Sequence, residues 1–323
     1  MKRISILALV VILLTVVVLP ASGQAKSPLL YIPLGTANRV AILDTKTSRL
    51  VGEVPLSSNP HGVGVTPDGR VLIEASLSGS KSINLIDTET GKLVKSIVVG
   101  KGSHHVAVSP DGRWAVATVG KPMSLAIIDL QGRKLFRSLR LGKYPNYPLF
   151  SKDGSRVYVS NSGDGTVSIV EADKWEEIAR VRTGKSPGHL AMNREGRHLY
   201  VADLESGDVA IVNLESLGIE KTIPVSKQLH GIAASPGNGR IYVSDPQEKA
   251  LIILDPQKPG VVRRVPMGAE LEHVSFSPAG DRLYLFLPEA KEVRILDPGG
   301  MEVVSRIRLS GDPHQPAFSG RGM

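Results

Sequence analysis

The feature that most constrains the fold is a repeat. Residues His61 to Arg70 read His-Gly-Val-Gly-Val-Thr-Pro-Asp-Gly-Arg, and a close copy stands at His104 to Arg113. An acidic or amide residue behind an apolar pair marks the period: Asp44, Asp87, Asp129, Glu171, Asn213, Asp255 and Asp297. The first interval is 43 residues and every later one is 42. Short strands repeating at this length are the mark of propeller blades.

Each unit holds four strand candidates between turn residues. Residues 188–193 exemplify the first, 157–160 the second, 166–170 the third and 177–182 the fourth. A tyrosine recurs in the second strand at Tyr31, Tyr158, Tyr200, Tyr242 and Tyr284, with Leu72 and Ala115 in the other two copies. Turns after the first strand carry Gly69, Gly112, Gly154, Gly196, Gly239 and Gly280, where a hairpin needs positive φ. The marker acids, followed by Thr45 and Thr88 in two copies, suit capping of the next tight turn rather than chemistry. The repeat starts at a second strand, 29–33, and ends at a first strand, 314–319. Together these complete one blade. The expectation is therefore an all-β, seven-bladed propeller of four-stranded blades over residues 26–323. Its ring is closed by one C-terminal and three N-terminal strands.

Residues 1–25 differ in kind. Lys2 and Arg3 precede the apolar run Ile4 to Leu19, followed by Pro20 and the small residues Ala21, Ser22, Gly23 and Ala25. This is the pattern of a secretory signal peptide, or of a membrane anchor if it is not cleaved. The rest of the chain is expected in the periplasm or outside the cell, with no integral membrane domain after the signal and as a monomer. Cleavage would take the formal charge from +8 to +6 by removing two cations. The absence of cysteine excludes disulfides, thiolate metal sites and thiol catalysis.

Fourth strands carry Lys95, Arg137, Arg140, Arg180, Arg182, Lys221, Arg263, Arg264, Arg306 and Arg308. Spread around the whole rim and without interleaved aromatic residues, they read as edge protection rather than a nucleic-acid surface.

Val157-Tyr-Val-Ser-Asn161, Gly165-Thr-Val-Ser-Ile-Val170 and the Ser-Pro-Asp-Gly turn at Ser109 to Gly112 resemble the YVTN-type β-propeller repeat. The resemblance runs over residues 28–319. It implies an extracytoplasmic prokaryotic propeller, in a superfamily that includes surface-layer-associated, lactonase-like and haem d1 propellers. Function varies widely among these, so the repeat implies architecture more than chemistry. Departures are Trp114-Ala-Val-Ala and Asn146-Tyr-Pro in place of the His-Gly-Val start.

Seven of the eight histidines fall at the start of innermost strands; His198 lies in a turn and reads as solvated. One register position holds His61, His104, Asn146, Gly188, His230, Glu272 and His314, and the next adds His105, His189 and His273. Innermost strands ring the channel, so His61, His104, His230, Glu272 and His314 are candidate ligands for a transition metal. A competing role is to fasten each incoming loop to its own blade, on a ring too wide for one ion. No cofactor is otherwise called for. Loops on the same face carry Lys101, Lys143, Lys185 and Lys227, opposite an arc with Glu270, Asp312, Asp203, Glu205 and Asp208. These lysines suit an anionic small molecule or an acidic loop of a protein partner. No hydrolase elbow, phosphate loop, dinucleotide fingerprint or zinc-protease motif is present. The expected function is non-enzymatic binding of a ligand or partner over the channel face. The alternative is a channel-mouth enzyme, metal-assisted or lactonase-like, using the His/Glu set; a haem d1 holder is a third option.

Overall fold

A computed structural model describes residues 28–56, 59–77, 80–258 and 260–320. The 1–25 segment read as a signal lies outside them. All the described secondary structure is strand, and the strands form seven antiparallel sheets of four. Innermost strands are Pro60–Val65, Lys101–Val108, Pro145–Phe150, Pro187–Met192, Ile232–Ala234, His273–Phe276 and Ala317–Phe318. Most of them lie beside the innermost strand of the next blade, which sets them around one axis. The chain is a seven-bladed β-propeller. Among the described residues no helix is long and apolar enough to cross a membrane.

Ring closure joins the two ends. Leu30 pairs with Phe318 and Tyr31 with Ala317, while His314 N–H donates to Pro33 at 3.0 Å and Ser319 N–H to Leu29 at 2.8 Å. The regular closing strand is only Ala317–Phe318. It is shorter than the 314–319 expected, because Pro313 and Pro316 have no N–H to give a ladder.

Blades are buried on both faces, which is why second strands such as Val157–Asn161 bury every residue. The seven hydrophobic clusters each span two neighbouring blades; Tyr200, Val209 and Ile211, for example, pack with Ile232, Val243 and Ile252. Tyr31, Tyr158, Tyr200, Tyr242 and Tyr284 are all buried in these seams. Each blade also has a register shift between third and fourth strands, at Ile127/Ile128 and its six equivalents. The shift increases twist and lets flat sheets fan around an axis.

The turn chemistry follows the repeat. Gly112, at φ 74°, closes a turn in which Ser109 Oγ accepts from Trp114 N–H at 2.9 Å and donates to Asp111. Marker acids cap as expected: Asp44 Oδ1 accepts from Thr47 N–H at 2.8 Å, and Asn213 Oδ1 from Ser216 N–H at 2.9 Å. Basic fourth-strand side chains also reach the adjoining blade or loop. Arg137 donates to the Lys174 carbonyl at 3.2 Å and Lys221 to that of Pro256 at 3.1 Å.

Candidate metal centre

A strand that alternates regularly would send consecutive residues to opposite faces. At the start of several innermost strands the alternation breaks. Ser103 pairs with Val119 and Val106 with Ala117, so His104 and His105 together oppose Thr118. Asn146 and Tyr147 likewise oppose Ser160, and Gly188 and His189 oppose Ala202. A bulge of this kind re-aims side chains, and here two register positions in one blade serve the axis.

In three blades a second-strand hydroxyl braces the start of the innermost strand and ties it to the next blade; the Gly188/His189 bulge faces Ala202 and lacks one. Thr118 Oγ1 accepts from His105 N–H at 3.2 Å and donates to the Asn146 carbonyl at 2.7 Å. Ser160 repeats this with Tyr147 N–H at 3.0 Å and the Gly188 carbonyl at 2.6 Å. Ser244 does so with Gly231 N–H at 2.7 Å and the Glu272 carbonyl. These relay residues are not among the positions the sequence singles out, although their recurrence behind the second-strand apolar run is visible there.

The seven channel histidines do not form a wide ring. They collapse into one column. His61 stacks on His104, with ring centres 4.4 Å apart and 13° between planes, and meets His314 at 4.6 Å. His104 meets His105 at 4.1 Å, and His105 meets His189 at 5.2 Å. His189, His230 and His273 lie mutually 4.7–4.9 Å apart. Gly62 and Gly231 make the approach feasible. A Cβ at Gly62 would sit 2.4 Å from the His104 carbonyl oxygen, and one at Gly231 would sit 2.6 Å from that of Glu272.

Three groups of potential ligand atoms arise, each with its atoms within 4.8 Å of one another: His61/His104/His105, His189/His230/His273 and Glu272/His273/His314. The five residues expected as one metal set are therefore divided among three groups. His105, His189 and His273, placed one position further along, complete them. Asn146 lies against His104. Lys101, Lys143, Lys185 and Lys227 are exposed and outside the column. Lys101 opens a strand opposite Lys121 instead of standing in a loop. Lys143 lines a rim groove of about 580 Å³ with Lys121, Arg140, Arg180 and Asp164.

Two imidazoles have fixed tautomers. Nδ1 of His189 lies 3.1 Å from the His230 carbonyl, and Nδ1 of His230 lies 3.1 Å from that of Glu272. A carbonyl only accepts, so Nδ1 carries the proton and Nε2 presents its lone pair. Nδ1 thus fastens each ring to the neighbouring blade rather than to its own, leaving Nε2 free to ligate. Buried without a hydrogen-bond partner are both ring nitrogens of His105 and His273, Nε2 of His189 and Nδ1 of His314.

Burial, then the neighbouring imidazoles, lower the basicity of the column. His61 falls to about 2, while His105, His189 and His273 lie well below the usual histidine range. Burial also takes His104 and His230 to about 4. Neutral imidazole is the ligating form. At the mouth, His314 Nε2 lies 3.0 Å from Asp312 Oδ2 and its Nδ1 3.9 Å from Glu272 Oε2. Burial, with Glu270 and Asp312 nearby, raises Glu272 to about 7.

Two expectations need correction. Asp203 is not a rim charge: its side chain is buried, accepts from Thr183 Oγ1 at 2.8 Å, and is raised to about 7 chiefly by burial. His198 is not simply solvated, since Nε2 lies 2.8 Å from Glu220 Oε2 on the opposite face.

The family model of YNCE-like β-propellers matches residues 147–232. No curated protein matches the sequence. Among solved structures, the Pseudomonas aeruginosa periplasmic gluconolactonase PpgL superposes with a TM-score of 0.73 at 18% identity, covering 91% of this chain and 99% of that one. A putative 6-phosphogluconolactonase from Bacteroides uniformis gives 0.76 at 16%, covering 91% and 100%. The dihydro-haem d1 dehydrogenase NirN gives 0.70 at 17%, covering 92% and 77%. At these identities the likeness is one of fold. The chain is a seven-bladed β-propeller whose repeat matches the YNCE-like type across residues 147–232.

Proposed function

We propose that the chain is an extracytoplasmic binding propeller whose working surface is the channel face, and that its imidazole column holds a transition metal there. The observation carrying this reading is the set of six bare, buried ring nitrogens on His105, His189, His273 and His314. Each buried polar atom left unsatisfied costs about 1–3 kcal/mol. Aromatic hydrocarbon side chains would fill the same space without that cost, so the nitrogens call for an occupant. His189 and His230 also have what a metal-ligating histidine needs, a neutral ring whose Nδ1 is held by a backbone carbonyl.

The mouth offers that centre a visitor. Glu272 and Asp312 flank one side, while the exposed lysines 101, 143, 185 and 227 favour an anionic small molecule or a partner's acidic loop. An enzymatic variant of this reading would use the same metal, with Glu272, beside His314 at the mouth, as the acid–base group. The test is elemental analysis and an absorption spectrum of protein secreted by its native host. Stoichiometric transition metal is expected. Metal-free, colourless protein that cannot be loaded afterwards would overturn the proposal.

A further inference from the structure

We propose that the column is a multinuclear copper site, taking at least two monovalent copper ions side by side. This rests on the metal-binding reading above. His61/His104/His105 and His189/His230/His273 share no residue, and each brings three nitrogen ligands within 4.8 Å of one another. With metal–nitrogen bonds of about 2 Å, ligands of one ion lie within about 4 Å of each other. Small ring rotations close each triad on its own ion. One ion in either triad leaves the other bare, with buried nitrogens still unsatisfied.

The triads also adjoin. His105 of the first is 5.2 Å from His189 of the second, and Tyr147 packs on both rings at 5.0 and 4.9 Å. Ions in the two triads are therefore neighbours in one compartment. The third group, Glu272/His273/His314, shares His273 with the second and lies at the more exposed mouth. It adds the single carboxylate among the three groups.

Charge selects the metal. Six neutral imidazoles supply no negative charge, and two divalent ions would bring four positive charges into a buried column whose nearby carboxyls, Glu272 and Asp312, stand at its mouth beside His314 and outside both triads. Burying uncompensated charge is costly, and two monovalent ions halve it. Imidazole is a good ligand for copper, which also heads the divalent affinity order should the ions be oxidised.

The full-length secreted chain, stripped of metal, would be titrated anaerobically with monovalent copper against a chromophoric chelator, and in parallel with divalent zinc. The expected result is two or more tightly held copper ions per chain. X-ray absorption should show a nitrogen shell and copper–copper scattering. His105→Phe should lose one ion, and His105→Phe with His273→Phe, which breaks all three groups, should lose both. Circular dichroism of each variant checks its fold, and the wild-type stoichiometry stands independently of the variants. A single ion per chain would overturn the multinuclear assignment and leave the metal-binding reading intact. Two zinc ions without copper would overturn the copper assignment. No uptake of either metal would overturn both.

Discussion

At the residue scale, the informative positions are polar groups held where water does not reach. Asp203 ends a second strand with its carboxyl buried, one oxygen bonded to Thr183 and the other bare. The equivalent residue one blade earlier is Asn161, whose amide donates to Thr166 and Ser168 at 3.1 and 2.8 Å. The folded state keeps Asp203 protonated to about pH 7, whereas an unfolded chain ionises it near 4. Between those values the native state binds more protons, so this group's stabilisation is present in acid and is lost as pH rises. Asp203→Asn should therefore stabilise the protein by about 1–3 kcal/mol at pH 8 and hardly at all at pH 4, read from urea unfolding at both. The bare nitrogens of His105 make a companion case. His105→Phe should raise the melting temperature of the metal-free chain, by about 1–3 kcal/mol of stability, while reducing metal uptake. An unchanged or lowered melting temperature would show that those nitrogens have partners in solution. The sequence showed that His105, His189 and His273 exist at a second register position. It did not show that a bulge turns both positions inward, because strand alternation would have sent them into the blade.

At the element scale, the propeller depends on close backbone passage at few points and on a brief final strand. Gly207 sits at φ 70°, and a Cβ there would lie 1.6 Å from the Ser226 carbonyl oxygen, in the loop entering the next blade. Gly207→Ala must move that loop; thermal unfolding should show a loss of more than about 2 kcal/mol. Gly237, which has no neighbour within 4 Å of its Cβ position, is the control and should tolerate alanine. The closing strand places Phe318 against Tyr284 at 5.7 Å and in the cluster of Leu30 and Ile32. Phe318→Ala should cost about 3–5 kcal/mol, which denaturant unfolding would register. The period and the incomplete end repeats make this closure legible in the sequence itself. The recurrence of Thr118, Ser160 and Ser244 is visible there but their role is not, because small polar residues near strand ends have many uses and only the blade-to-blade contact gives them one.

At the scale of the whole molecule, the histidine column makes stability a steep function of pH. In the metal-free fold His61, His104, His105, His189, His230 and His273 stay neutral far below 6.5, His104 and His230 down to about 4. An unfolded chain protonates all six from about pH 6.5 downward. The unfolded state then binds more protons, so their contribution is whole above pH 6.5 and drains away as pH falls towards their folded values. Each group drains about 1.4 kcal/mol per pH unit. Glu272 and Asp203, both raised to about 7, work the other way over the same window and offset about two of the six. The imidazoles outnumber the two carboxyls, so the net effect is stability lost as pH falls below about 6, against a net stability of about 5–15 kcal/mol for a typical fold. Metal-free protein should therefore melt progressively lower from pH 6.5 downward, as followed by calorimetry across that range. Bound metal should shift the collapse to lower pH, since it holds the imidazoles deprotonated and must itself be displaced. Replacing His105 and His273 together by Phe removes two of the six groups and should flatten the metal-free slope correspondingly. A melting temperature that stays level from pH 7 to pH 5 would mean that the channel imidazoles are hydrated, and that the column is not the closed compartment its geometry describes.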